Sequence, residues 1–357
     1  MQFLNAYLAI YALVLFLAPI LRSVSILNEP RCTKQQIAHQ KALSKDFWMG
    51  LNFLYNVFFK KSDENYLEST HNAFTKFGST YSVKRWIWRT IFTRDSKNIK
   101  HVLAEDFKNF QLPGIRVSAM ETLLGSGIFS LNGKSWSHAR SMLKPCFAKK
   151  DKEAIITSLE SHFQSLIKRV QRGKEVDLQP LFFGLAMDFA TEFLTGKSTR
   201  MLDDATSNSE AEQFVKDYMV CSEEVVARMS LGPLQHFRIS PSAWFAKRRI
   251  FKYVDKFIKE AQSDNEVAGV KSGNFLADLS AATTDRKVLR DQMLHILVAS
   301  RDTIASLLSN LLFVLAKRPD MYEKLREEVL AHVGDEPPLS QDLKQMEYLK
   351  WCIQECK

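Results

Sequence analysis

Three consecutive polar residues, Arg301, Asp302 and Thr303, interrupt a long apolar stretch, and two of them, Asp302 and Thr303, are of types that can pass protons. An acid beside an alcohol can hand protons to an oxygen species bound nearby, and the small side chain of Ala299 would let a flat ligand approach the backbone. A plainer alternative is that Arg301 and Asp302 face solvent while the Thr303 hydroxyl donates to the preceding helical turn. From these residues alone, the sequence favours the plainer alternative.

A second candidate pair, Trp136 and Arg140, is separated by four positions. Residues four apart lie on one face of a helix, so the indole N–H and the guanidinium could both donate to the same carboxylate. Taken alone, this spacing is more typical of ordinary surface packing. It becomes informative only together with the residues on either side of it.

The cysteines and glycines predict neither a metal site nor a phosphate site. Gly125 and Gly127 could suggest a phosphate-binding loop, but no Lys-Ser/Thr follows them, so the sequence predicts a turn. The cysteines are scattered, odd in number and without paired metal-site spacing, which predicts reduced thiols. There are five of them: Cys32, Cys146, Cys221, Cys352 and Cys356.

The composition is that of a folded, basic protein. The 357 residues are 46% hydrophobic and include 25 Phe, which is enough core material for one elaborate helical domain or two smaller ones. A net charge of +9 suits a solvated surface with affinity for anionic membrane or an acidic partner. Nucleic-acid binding is not expected, because zinc-finger spacing, an aromatic RNA-binding signature and dense Lys/Arg runs are all missing from the sequence.

Residues 1–26 are predicted to be an N-terminal membrane anchor, and residues 27–60 a juxtamembrane segment. As a helix, the apolar stretch 3–21 would be about 28 Å long, just enough to cross a bilayer. Basic residues follow this stretch and none precedes it, which leaves the rest of the chain in the cytosol. The alternative is a cleaved signal peptide, because Ser23-Val24-Ser25 has the form of a cleavage site.

The rest of the sequence predicts a mainly α fold with a small β annex. A helix over 66–77 ends at Gly78, a hairpin joins 80–83 to 86–92 around Lys84 and Arg85, and Asp95 caps a short helix to Leu103. The remaining elements are a loop at 114–132, helices at 136–143, 152–170, 181–194, 210–229 and 241–261, a polar linker at 262–273, and a helix at 285–317. That last helix starts at Thr284 or Asp285 and stops at Pro319, and its length and apolar character predict a path through the core.

The middle of this long helix resembles the central helix of cytochromes P450, where the usual pattern is Ala/Gly-Gly-x-Asp/Glu-Thr-Thr/Ser. Ala299, Asp302 and Thr303 match that pattern. Ser300 replaces the usual glycine, and Ile304 replaces the second hydroxyl residue.

Trp136 and Arg140 resemble the Trp-x-x-x-Arg of the P450 helix that supplies partners to a haem propionate. Similarity to the fungal P450s that hydroxylate alkanes and fatty acids extends over the segments 123–129, 143–147, 176–183, 188–196, 316–319 and 322–328. The resemblance therefore spans nearly the whole chain, and residues 61–357 are identified as a partial cytochrome P450 domain.

The resemblance implies a haem cofactor and a monooxygenase that receives electrons from NADPH through a P450 reductase. Trp136, Arg140 and Ala299 would be the cofactor-binding residues. Thr303 would deliver protons during oxygen activation, and Asp302 would connect it to a proton source. The apolar segment 112–124 would line the entrance for a hydrophobic substrate, a long-chain alkane or fatty acid. Such enzymes are single-pass proteins of the endoplasmic reticulum membrane with a cytosolic catalytic part.

The thiolate ligand of the haem iron is missing from the sequence. In the family it stands in Phe-x-x-Gly-x-Arg-x-Cys-x-Gly, and none of the five cysteines has that context, so no axial metal ligand is predicted. The family's Glu-x-x-Arg pair would begin at Glu355, with its Arg just past Lys357. We therefore expect a C-terminally truncated P450 with weak or absent haem binding and no turnover. The alternative is a non-catalytic, membrane-anchored helical interaction protein derived from a P450.

Overall fold

The computed structural model describes residues 66–85, 88–148, 151–171, 173–203, 209–268, 274–334 and 336–356. The chain divides into two compact units, Met1–Gln111 and Leu112–Lys357. The predicted membrane anchor 1–26 and juxtamembrane segment 27–60 lie outside the described residues.

Helices make up most of the described residues. The strands are β1 (Thr80–Arg85) and β2 (Trp88–Thr93). The α-helices are α1 (Tyr66–Phe77), α2 (Ser96–Lys100), α3 (Gly114–Leu124), α4 (Gly133–Ala148), α5 (Lys152–Arg169), α6 (Leu178–Thr195), α7 (Ser209–Leu231), α8 (Pro241–Ala268), α9 (Phe275–Ser280), α10 (Arg286–Lys317), α11 (Pro319–His332), α12 (Ser340–Gln345) and α13 (Glu347–Glu355). The predicted mainly α fold with a small β annex is confirmed.

The first unit contains the helix and the hairpin that the sequence predicts. Gly78 ends α1 with a φ of 97°, which a residue with a side chain rarely adopts. The strands pair antiparallel from Thr80 opposite Thr93 to Arg85 opposite Trp88. The predicted turn at Lys84 and Arg85 is therefore wrong, because both residues belong to β1. Asp95 caps α2 as predicted, accepting from the N–H of Lys97 at 2.9 Å, and a π-helical turn, His101–Glu105, continues the chain past the predicted end.

The core of the second unit forms around the first half of α10. Leu289, Met293 and Leu297 are almost completely buried there. They belong to one apolar cluster with residues of α6, α7, α8 and α9, among them Met187, Leu194, Phe214, Tyr218, Ile250, Ile258, Phe275 and Leu279. Each such side chain contributes about 2 kcal/mol of burial free energy, so α10 is fixed chiefly by apolar packing. Asp285 caps it as predicted, accepting from the N–H of Lys287 at 2.8 Å.

The two halves of α10 differ sharply in exposure. The first half is buried, whereas Ile304, Leu312 and Phe313 in the second half are exposed. In the described part of the chain, α10 is the one helix long and apolar enough to cross a bilayer. Because Leu289, Met293, Leu294 and Leu297 pack in the protein core, we interpret α10 as a core helix.

Two predicted connections are helical instead. Residues 114–132 were expected to be loop, but α3 occupies Gly114–Leu124. Apolar residues are spread around that helix and give no amphipathic signal, although Ala119, Leu123 and Leu124 are buried. The predicted linker 262–273 is also partly wrong, because α8 continues to Ala268. Extending an existing helix adds one hydrogen bond per residue, which a polar composition does not prevent.

Candidate functional site

Thr303 lies at the point where α10 emerges from the core. Its side chain is exposed, and its hydroxyl donates to the carbonyl oxygen of Ala299 at 2.5 Å. This is the back-bond to the preceding turn that the plainer alternative predicts. Ala299, Thr303 and Ser306 follow one another at spacings of four and three, so they share a face of the helix. Small side chains on this face leave room for a flat group close to the backbone.

Arg301 is buried, contrary to the expectation that it faces solvent. Its side chain is 7% exposed and contacts two rings, with the guanidinium carbon 4.6 Å from the Phe183 centroid and 5.0 Å from that of Tyr218. Its Nη1 is 2.9 Å from a carboxylate oxygen of Asp302, whose side chain is 46% exposed. These two cation–π contacts offset part of the cost of burying the charge. The arrangement holds the Asp302 carboxylate at the edge of the protein, beside Thr303.

Trp136 and Arg140 come together on α4. The Arg140 guanidinium carbon is 5.5 Å from the Trp136 ring centroid, within the range of a cation–π contact. Trp136 is half-buried and Arg140 is exposed, while Ala139, Leu143 and Cys146 face the core. The two side chains thus lie together on one face of α4, with the guanidinium exposed. Their shared contact with a carboxylate stays a prediction.

The structure links these two groups through residues that sequence analysis missed. Asp291, Gln292 and His295 of α10 bind the backbone of residues 126–129, which lie just before α4. A signal was present, because three polar residues interrupt the buried half of α10 and two glycines occur at 125 and 127. The sequence gives no indication that these two features meet, since the partners are more than 160 residues apart.

A second hydrogen-bonded contact lies over α3, the segment predicted to line a substrate entrance. The amide of Gln235, which is buried, donates to the carbonyl oxygen of Ile115 at 3.3 Å. Gln235 belongs to the 3-10 helix Gly232–Phe237 that follows α7. Two arginines on either side, Arg228 and Arg238, contact the buried Glu224 carboxylate at 2.7 and 2.8 Å. These contacts fix the connection between α7 and α8 against α3.

The haem that the resemblance implies can be compared with the described residues. The face of Ala299, Thr303 and Ser306 has small side chains and is partly or fully exposed, which suits a flat apolar group. The exposed Arg140 guanidinium beside Trp136 suits a carboxylate. The described residues therefore leave room for a flat group beside α10 and place a guanidinium within reach of a carboxylate on α4. Among the described cysteines, burial raises the pKa of Cys221 to about 11 and also raises the pKa of Cys352. None of the described cysteines stands in the motif that carries the iron ligand in the resembled family.

Comparison with known proteins identifies the family. The family model described as Cytochrome P450 matches residues 47–356. Among similar curated proteins, the cytochrome P450 monooxygenase fsdH of Fusarium heterosporum is 34% identical over 326 residues, covering 86% of this chain and 57% of that protein. Cytochrome P450 52-E3 of Starmerella bombicola is 34% identical over 324 residues, covering 85% and 60%. Cytochrome P450 52A4 of Candida maltosa is 40% identical over 285 residues, covering 74% and 52%.

The chain thus spans between half and two thirds of the length of these relatives. The matched residues include the central helix and the helix of Trp136 and Arg140. The resemblance to fungal P450s that the motifs predict is confirmed. The chain belongs to the cytochrome P450 family.

Proposed function

We propose that these residues form the oxygen-binding side of a haem monooxygenase that hydroxylates long-chain alkanes or fatty acids. The observation that carries the proposal is the exposed small-residue face of α10, with Thr303 at its centre and Asp302 held beside it by Arg301. Haem, when bound, supplies the activation of O2. Electrons come from NADPH through a P450 reductase, which an exposed basic surface on this protein of net charge +9 would suit.

Thr303 and Asp302 form the proton path in this proposal. The Thr303 hydroxyl donates to Ala299 at present, and rotation about one side-chain bond releases it to donate toward the exposed face. Asp302 is exposed enough to exchange protons with water, while its contact with Arg301 keeps one carboxylate oxygen in place. A hydroxyl next to a solvent-connected carboxylate can pass protons inward without opening the site to bulk water.

Trp136 and Arg140 bind the carboxylates of the haem in this proposal. The guanidinium carries a permanent positive charge, and its stacking on the indole limits the orientations it can adopt. Both side chains therefore need little rearrangement to donate to one carboxylate. Ala299 contributes by its size, since a larger side chain there would project toward the flat ligand.

The substrate class rests on apolar surroundings and on the fungal resemblance. The segment 112–124 contains Ile115, Val117 and Met120, which suit an unbranched hydrocarbon chain. A membrane location suits the same substrates, because alkanes and fatty acids concentrate in lipid. We accordingly propose a single-pass protein of the endoplasmic reticulum membrane, with residues 1–26 as the anchor, 27–60 as the juxtamembrane segment and 61–357 as cytosolic P450 domain.

A spectroscopic experiment with an extended chain tests this function. The chain is produced alone and as a fusion to the C-terminal part of cytochrome P450 52A4, beginning where the matched segment of that protein ends. The chain alone is expected to bind haem weakly and to show no thiolate-type shift of the reduced CO spectrum, because none of its cysteines stands in the family's iron-ligand motif. The fusion is expected to show that shift and to hydroxylate dodecanoate or hexadecane. A folded fusion that takes up haem but oxidises neither compound would contradict the proposal.

A further inference from the structure

Three side chains of α10 bind a short backbone segment that precedes α4 in the sequence. The Asp291 carboxylate accepts from the N–H of Ser126 at 3.0 Å, and the Gln292 side-chain oxygen accepts from the N–H of Ile128 at 3.2 Å. His295 Nδ1 accepts from the N–H of Phe129 at 2.9 Å. These three residues and the segment 125–130 are called the clamp below.

The geometry of the clamp selects one form of His295. Because Nδ1 accepts a hydrogen bond from the backbone N–H of Phe129, it carries a lone pair, and the ring proton must be on Nε2. Nε2 lies 3.2 Å from the carbonyl oxygen of Gly125, to which it donates. The ring also lies parallel to Phe129, with centroids 5.8 Å apart and an interplanar angle of 7°. Only the neutral Nε2–H imidazole makes both bonds.

Two glycines allow this close approach. Gly125 has a φ of 70°, and a Cβ at that position would overlap the Asp291 carboxylate. A Cβ at Gly127 would lie 2.6 Å from the His295 ring. Ser130 closes the segment from within, since its hydroxyl accepts from the N–H of Gly127 at 3.1 Å and donates to the Gly125 carbonyl at 3.0 Å. Backbone, side chains and glycines are thus fitted to one another.

The clamp lies between the two groups of candidate site residues. Along α10, His295 precedes Ala299 by one helical turn, and Thr303 follows one turn later. Along the chain, five residues separate Ser130 from Trp136. The backbone N–H of Trp136 donates to the carbonyl oxygen of Asn132 at 3.3 Å. Asn132 is itself tied to Leu112 by two hydrogen bonds, of 2.8 and 3.1 Å. The clamp is therefore joined to the Trp136–Arg140 pair and to Thr303 by short, hydrogen-bonded stretches of backbone.

We propose that the clamp is the positioning device that sets the distance between the Trp136–Arg140 pair and Thr303, with neutral His295 as its central residue. This inference deepens the proposed function, because those two groups must contact opposite parts of one haem. Asp291, Gln292 and His295 act through the backbone of 125–130 and are positioning residues. They need not touch the cofactor or the substrate.

Matched variants separate the hydrogen bonds of His295 from its shape. His295→Phe keeps a flat ring against Phe129 but removes both hydrogen bonds. His295→Asn places a side-chain oxygen near the position of Nδ1 and keeps an acceptor for the Phe129 N–H. Gln292→Met removes the acceptor for Ile128 at nearly constant volume. His162→Phe is the control, since His162 is also mostly buried but pairs with Glu192 at 2.6 Å, outside the clamp.

The test measures a distance in the full chain without haem. Nitroxides are attached at Ser137 and Ser306, which are exposed, through a genetically encoded ketone side chain that leaves the cysteines unlabelled. Pulsed electron resonance then gives the distribution of distances between α4 and α10. Wild type, His295→Asn and His162→Phe are expected to give one narrow distribution. His295→Phe and Gln292→Met are expected to broaden it about twofold or more, because a released loop samples several positions.

Amide hydrogen exchange provides a second readout that does not depend on the labels. In His295→Phe, exchange at Phe129 is expected to accelerate at least about tenfold relative to residues of α6, while His295→Asn stays near wild type. A narrow, unshifted distance distribution in a folded His295→Phe protein would overturn the inference while leaving the proposed function standing. If the clamp behaves as expected but the fusion to the C-terminal part of cytochrome P450 52A4 takes up haem equally well with and without Trp136→Phe and Arg140→Leu, the proposed function fails and the clamp does not.

Discussion

Helix α10 carries two polar groups of opposite character, separated by two helical turns. Asp291, Gln292 and His295 are buried and bind backbone N–H groups of the same chain. Arg301, Asp302 and Thr303 run from the core to the surface, and the last of them is exposed. A buried polar group that the chain itself satisfies fixes structure, whereas one left at an open face is available to a ligand. This difference separates the positioning residues of α10 from its candidate catalytic residues.

The largest expected effect is at the clamp, in Gly125→Ala. The new methyl group would overlap the Asp291 carboxylate, and the alanine backbone would also have to adopt a φ of 70°. Strain and overpacking together should lower the free energy of unfolding by about 4 kcal/mol. The measurement is urea unfolding followed by circular dichroism.

Gly133→Ala is the matched control for that substitution. Gly133 also has a positive φ, of 55°, but a Cβ there meets nothing within 4 Å. Only the backbone strain remains, which should cost about 1 kcal/mol. Equal losses in the two variants would mean that the Gly125–Asp291 contact contributes nothing.

A smaller effect is expected from pH, through His295. Burial lowers its pKa from 6.5 to about 4, so between these values the unfolded chain binds more protons than the folded protein. The free energy of unfolding therefore falls by about 3 kcal/mol as the pH drops through this window. Below the window it no longer changes through His295. The difference in free energy of unfolding between wild type and His295→Asn, whose asparagine does not titrate, should thus shrink as the pH falls.

Urea unfolding of both proteins at pH 7, 6, 5 and 4 checks this pH dependence. Burial raises the pKa of Asp291, which acts in the opposite direction, but that residue is common to both proteins. The difference between the two curves therefore isolates His295. A difference that stays constant from pH 7 to pH 4 would show that a neutral imidazole is not required.

Local features of the fold were predictable from the sequence, and distant contacts were not. Asp285 caps the start of α10, and Gly78 ends α1 with a positive φ. Both effects involve only adjacent residues, so the residue types alone predict them. The clamp joins Ser126 to Asp291, 165 residues away, and nothing in either segment specifies the other. The burial of Arg301 depends likewise on Phe183 and Tyr218, which belong to other helices.

In the candidate site, too, the sequence predicts the residue types but not the contacts between distant parts of the chain. The motifs select Trp136, Arg140, Ala299, Asp302 and Thr303 through a family resemblance, and the family itself is confirmed. Their roles remain proposals. The back-bond of Thr303 also follows from simple helix chemistry, since a threonine hydroxyl reaches the carbonyl four residues earlier. What singles Thr303 out is its position at an open face, which only the fold reveals.

The smallest expected effect on stability belongs to Thr303→Ala. The lost hydroxyl bond is exposed, and alanine favours a helix more than threonine does, so the free energy of unfolding should change by less than about 0.5 kcal/mol. Ser309→Ala is the matched control, because the Ser309 hydroxyl makes the same kind of bond, to Ala305 at 2.8 Å.

The most direct test of the account is the coupling of NADPH use to product in the fusion with the C-terminal part of cytochrome P450 52A4. If Thr303 delivers protons, Thr303→Ala should raise the peroxide released per NADPH consumed about tenfold relative to hydroxylated product, while Ser309→Ala leaves that ratio unchanged. Coupling in Thr303→Ala equal to that of the unsubstituted fusion would contradict the assignment of the open face of α10 as the catalytic one.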